Sequence, residues 1–144
     1  LQTRPECDAG RIGCMGISGG GTITTFASAV DERISAVLIS GYLSYWKDSI
    51  MPLLHCEDNY VPGILQYAEM PDIATLIAPR PVFFENGTED TIFPIKSARK
   101  AFKQIKAAYD VLGNAHRCDM QVFEGDHQFC GQRGFPFLER WLRS

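Results

Sequence analysis

Gly16-Ile17-Ser18-Gly19-Gly20 is a Gly-x-Ser-x-Gly stretch set between the apolar run Ile12-Gly13-Cys14-Met15 and a helical pattern that begins near Thr22. That setting reads as a nucleophile elbow, in which the chain leaves a strand and enters a helix through a sharp, strained turn. Small residues on either side of the serine are needed there to avoid steric collision. The hydroxyl of Ser18 is then thrust out above the edge of a sheet.

Glycine-rich turns are common, so the reading gains its weight from two sites further along. Pro81-Val82-Phe83-Phe84-Glu85-Asn86 has the character of a buried strand and runs into Gly87-Thr88-Glu89-Asp90-Thr91-Ile92-Phe93-Pro94, which puts Asp90 in a loop past the strand's carboxyl end. Met120-Gln121-Val122-Phe123-Glu124 is a further strand that runs into Gly125-Asp126-His127. Serine, aspartate and histidine thus follow one another along the chain, each on a turn after a strand.

That order, with the elbow, resembles the α/β-hydrolases, and the chain is similar to their C-terminal portion from Arg11 to Leu142. The segment His55-Cys56-Glu57-Asp58-Asn59-Tyr60-Val61-Pro62-Gly63 is similar to the dienelactone-hydrolase and acetylxylan-esterase-like branches. Dienelactone hydrolases proper use cysteine as nucleophile. Here the position is Ser18, which favours an ester or acyl substrate over a dienelactone.

The resemblance implies several strands ahead of the elbow, one of them followed by a loop that supplies a backbone N–H to an oxyanion hole. Only Leu1 to Gly10 precede the elbow strand, and no His-Gly-Gly-Gly-like loop occurs. The expectation is a partial α/β-hydrolase fold, with residues 1–144 as one domain forming its C-terminal portion. The elbow strand, central in the superfamily's sheet, should then be left as an apolar edge. Such an edge invites self-association or pairing with a missing N-terminal portion.

In 144 residues, 45% hydrophobic and 22% charged, the composition fits one compact domain. The apolar stretches stop short of the ~20 residues needed to span a bilayer, so no membrane role is expected. A net charge of -3 argues against a nucleic-acid partner. Lys96, Arg99, Lys100, Lys103 and Lys106 cluster, but at a spacing that reads as the solvated side of a helix whose inner stripe is Ile95, Ala98, Phe102, Ile105, Tyr109 and Leu112. Cys7, Cys14, Cys56, Cys118 and Cys130 form neither a disulfide framework nor a zinc pattern. No metal and no organic cofactor is expected. The compartment is not fixed by these features, with the cytoplasm favoured.

Strand and helix alternate along the chain. Ile23, Phe26, Ala27 and Val30 recur at helical spacing, Ile34 to Ile39 is a run suited to a strand covered on both sides, and short helices are expected near Gly63–Glu69 and Asp72–Ala78. A long helix should start at Pro94 and stop at Gly113-Asn114, and a closing helix should span Pro136 to Leu142. Right-handed crossovers would make the sheet parallel.

The chemistry implied is acyl transfer. Ser18 would attack the acyl carbon, His127 would take and return the proton, and Asp90 would hold the imidazole. Gly19, the residue after the serine, would supply one oxyanion N–H. Glu89 competes with Asp90 on the same loop, and His55 and His116 compete with His127. The favoured substrate is a small-molecule or carbohydrate ester. A prolyl-oligopeptidase-like peptidase and a non-catalytic fragment are the alternatives. Tyr42, Trp46 and Tyr60 are read as packing aromatics ahead of pocket-lining ones.

Overall fold

The computed structural model describes residues 1–143. Strands β1 (Ile12–Ile17), β2 (Ile34–Ser40), β3 (Val82–Gly87) and β4 (Cys118–Phe123) alternate with helices α1 (Gly19–Val30), α2 (Met70–Thr75), α3 (Ile95–Val111) and α4 (Gly134–Arg143). The strands form one sheet in the order β1-β2-β3-β4, and every neighbouring pair is parallel. All four strands therefore end on the same side, and the loops that follow them gather at one rim.

Side chains alternate across the sheet, so each strand feeds two cores. Val37, Ile39, Val82 and Phe84 point to a large core shared with Met70, Ala74 and Ile77 from α2 and its exit, and with Ala101, Ile105 and Tyr109 of α3. Ala36, Leu38 and Phe83 point the other way and meet Leu138, with Phe137, Trp141 and Leu142 of α4 around them. Both faces of β2 and β3 are covered, which is why Ala36–Ile39 and Val82–Phe84 are continuous apolar runs. β1 lies at the edge and pairs only with β2 among the described residues. Gly13 and Met15 on it are exposed.

Several helices differ from their sequence expectation for identifiable reasons. α1 begins at Gly19, ahead of Thr22, and its buried side consists of Gly21, Thr22, Thr24, Thr25 and Ser28. Ile23 and Val30, read as members of its apolar face, are 63% and 81% exposed. The helix lies too close to the sheet for large side chains. A Cβ on Gly21 would sit 2.6 Å from Cβ of Tyr42, and one on Gly16 would collide with the backbone of Gly20.

The expected helix at Gly63–Glu69 is a single 3-10 turn at Ile64–Gln66, and the one expected at Asp72–Ala78 starts earlier, at Met70. Glu69 is its N-cap. The Glu69 side chain accepts from the Met70 N–H while Asp72 accepts from the Glu69 N–H, a capping box that fixes the start. α3 follows Pro94 and stops before Gly113, whose φ of 68° is the left-handed conformation that glycine tolerates. Leu112 falls past the last turn and is exposed. Lys96, Arg99, Lys100 and Lys103 face solvent as the spacing implies. Lys106 does not: its ammonium donates to the carbonyls of Ala115 and Cys118 and ties the helix to the start of β4.

Candidate active site

Between β1 and α1, Ser18 has φ 54° and ψ -120°, the one non-glycine residue with positive φ among the described residues. A side chain at such a backbone angle is strained and persists only where the surroundings over-determine it. Three contacts do so here. The Ser18 N–H donates to Ser40 O at 3.1 Å, the Thr22 N–H donates to Ser18 O at 2.9 Å, and Gly16 allows the chain to double back against Gly20. Gly19 is the first residue of α1, so its N–H has no acceptor within the helix.

After β3, Asp90 is buried and both its oxygens are used. Oδ1 accepts the N–H groups of Ile92 and Phe93, each at 2.8 Å, which fixes the carboxyl within its own loop. Oδ2 accepts from Nδ1 of His127 at 2.8 Å. Glu89 is exposed, and its part in the site is through its backbone, whose N–H donates to Gly125 O at 2.8 Å. The Thr88 N–H donates to Phe123 O at 2.9 Å, so the loops after β3 and β4 are laced together.

The imidazole of His127 is held on two further sides. Phe93 stacks on it at 5.6 Å with 18° between the planes. Gly41, at φ 50° just beyond β2, comes so close that a Cβ there would lie 3.1 Å from Cε1 of His127 and 3.7 Å from Oδ2 of Asp90. Since Gly41 directly follows Ser40, the residue that holds the Ser18 N–H, the elbow and the histidine loop meet at this point of the rim. Nε2 of His127 is buried and has no partner among the described residues, so Ser18 Oγ does not bond to it in this state. The structure thus joins Asp90 to His127 and sets Ser18 on the same rim, with the second histidine nitrogen left open.

The rival histidines lie elsewhere. His55 is half-buried, its ring centroid 6.2 Å from that of Phe93 at 65° between the planes, and His116 is exposed beside Trp141. Tyr42 and Trp46 are core residues, as the packing reading has it, and burial pushes the Tyr42 phenol up. The Tyr60 hydroxyl accepts the His55 N–H and donates to Leu53 O, a bond that shapes its own loop. No group of three or more acidic, histidine or cysteine side chains placed to hold a metal occurs among the described residues, and the five cysteines are free. No helix among them is long and apolar enough to cross a membrane.

Gly41 and Phe93 escaped the sequence reading. Gly41 carried one usable signal, a glycine directly after a strand in an α/β pattern. Phe93 carried none, because its place on the imidazole depends on where two distant loops meet.

This is the fold of the α/β-hydrolases, from the elbow strand to the histidine loop. No family model matches the chain. Its fold is similar to a glucuronoyl esterase of carbohydrate esterase family 15 from Caldicellulosiruptor kristjansonii, with a TM-score of 0.79 at 19% identity over 97% of this chain and 45% of that one. A glucuronoyl esterase from Solibacter usitatus gives 0.77 at 14% identity, over 99% of this chain and 44% of that one. TT1662 from Thermus thermophilus gives 0.67 at 22% identity, over 90% of this chain and 54% of that one. In sequence the chain is 27% identical, over 99% of its length, to the Bacillus subtilis (strain 168) protein named "Putative hydrolase YtaP". It spans 50% of that relative.

Proposed function

We propose that the chain is the C-terminal portion of a serine hydrolase that cleaves carboxylic esters, acyl or acetyl, through a covalent acyl-enzyme. The observation that carries this reading is the His127–Asp90 hydrogen bond at 2.8 Å on the rim that also bears the strained Ser18. The names of the similar proteins, a hydrolase and several esterases, support the class.

A serine hydroxyl is a weak nucleophile at neutral pH and needs an adjacent base. In the proposed cycle Nε2 of His127 takes the proton of Ser18 Oγ as the oxygen attacks the acyl carbon. Asp90 keeps the other nitrogen protonated and stabilises the imidazolium as it forms. The proton then passes to the departing alcohol, and water repeats the sequence on the acyl-enzyme to release the acid and restore the serine. The free N–H of Gly19, at the positive end of α1, is the proposed first donor to the tetrahedral oxyanion. A second donor is expected from parts of the fold outside these residues. Loss of one such donor typically removes about 3 kcal/mol of barrier stabilisation, so the 144-residue chain alone is expected to hydrolyse esters poorly.

The proposed substrate class is a carbohydrate-linked ester, supported by the glucuronoyl esterases among the structural neighbours. A fluorophosphonate probe tests the core of the proposal on the longest natural form of the protein. Covalent labelling at Ser18 that is lost in His127→Ala supports it, and absence of labelling in the unmodified protein refutes it.

A further inference from the structure

Glu85 is 0% exposed in the middle of the sheet. It lies on the face covered by α4, one alternation beyond Phe83, where an apolar side chain would satisfy the core. A carboxylate is costly to bury unless fully hydrogen-bonded, and here the partners are specific. Oε1 accepts the N–H of Cys130 and Oε2 accepts the N–H of Gly131, each at 2.9 Å. A Cβ on Gly134, the first residue of α4, would lie 3.3 Å from Oε2. The positive end of that helix therefore adds to the stabilisation of the negative group.

Gln121 is the register partner of Glu85 on β4 and is also buried. Its Oε1 accepts the Arg133 N–H at 3.0 Å, while its Nε2 donates to Oε1 of Gln132 at 3.1 Å. Two adjacent polar side chains of the sheet thus receive three backbone N–H groups from 130–133, the segment just after His127. On the other side of the histidine, Gly125 O is held by the Glu89 N–H at 2.8 Å. The histidine loop is clamped at both ends.

We propose that Glu85 is a positioning residue: by binding the backbone of Cys130 and Gly131 it sets where the loop leaves the sheet, and so holds the His127 ring in line with Asp90. This rests on the reading of His127 as the general base. The carboxylate suits the task because both acceptor oxygens lie on one rigid group and neither presents a hydrogen to the facing N–H donors.

The test is Glu85→Gln, which keeps shape but turns one of the two acceptors into an NH2 facing a backbone N–H. In protein carrying 15N-labelled histidine, the expected result is loss or broadening of the hydrogen-bonded His127 Nδ1–H resonance, with the far-UV circular dichroism of the unmodified protein retained. Where ester turnover is measurable, kcat should fall roughly 100-fold, the scale of a 1 Å misplacement, with KM nearly unchanged. An unchanged Nδ1–H resonance in folded Glu85→Gln overturns the proposal. Should that variant not fold, amide exchange in the unmodified protein decides: Cys130 and Gly131 protected to the level of β3 supports the clamp, and fast exchange at both refutes it. The Nδ1–H signal does not require Ser18 to react. Failure of the serine-hydrolase reading, seen as absent fluorophosphonate labelling with the resonance intact, is therefore distinguishable from failure of the clamp.

Discussion

Asp90 divides its two oxygens between two tasks: Oδ1 caps the N–H groups of Ile92 and Phe93, and Oδ2 accepts Nδ1 of His127 at 2.8 Å. Asp90→Asn separates these tasks, because an amide oxygen still caps the loop while its NH2 group turns a donor toward Nδ1. The imidazole is then driven to the tautomer whose Nε2 carries a hydrogen and cannot accept one from a serine. On the longest natural form of the protein, the expected outcome is a native-like melting curve with the proposed ester turnover lowered roughly 10,000-fold, read by p-nitrophenyl acetate hydrolysis or by the rate of fluorophosphonate labelling.

Gly41 combines a left-handed backbone with contact against His127, so Gly41→Ala should damage stability and site together. The positive φ alone costs an L-residue about 1–2 kcal/mol, and the added methyl would press on the ring at 3.1 Å. The unfolding free energy from urea titration should drop by that amount, and serine labelling should slow in the fraction that remains folded.

Cys118 opens β4 and is buried, and this burial pushes its thiol up to about 12. Since the thiolate is the reactive form, the native protein should leave Cys118 unmodified by iodoacetamide up to pH 9, whereas exposed Cys56 is modified. Peptide mass mapping checks this, and guanidinium should make Cys118 reactive. Alkylation of Cys118 in folded protein at neutral pH would show that β4 opens on the reaction timescale.

Among the described residues β1 pairs with β2 alone, and Met15 on it is exposed. Such an edge is a template for another strand, so light scattering on the 144-residue chain should give a mass that rises with concentration. Met15→Lys should shift the midpoint of that rise to higher concentration. A constant monomer mass for the unsubstituted chain would remove this expectation.

Much of the architecture is legible from local pattern. Ala36–Ile39 and Pro81–Phe84 are apolar because both sheet faces are covered, and the glycines around Ser18 announce a turn that few other residues could make. The pattern misleads in α1, where Ile23 and Val30 look like the core and Thr24, Thr25 and Ser28 occupy it. Close approach of helix to sheet overrides hydrophobicity there, because residue volume decides what fits. Glu85 could have been noticed as a lone charge inside a buried strand. Nothing nearby in sequence names its partners, which lie about 45 residues away.

From the chain of letters alone come the order Ser18, Asp90, His127, the strand preceding each, and the parallel α/β plan, since these follow from periodicity and from which residues tolerate which backbone angles. Only the folded molecule decides that Oδ2 of Asp90 meets Nδ1 of His127, that Gly41 and Phe93 enclose the ring, and that Glu85 anchors the loop behind it. These are distances between groups remote along the chain, and they exist only once strands pair in one register and helices settle at one height above the sheet.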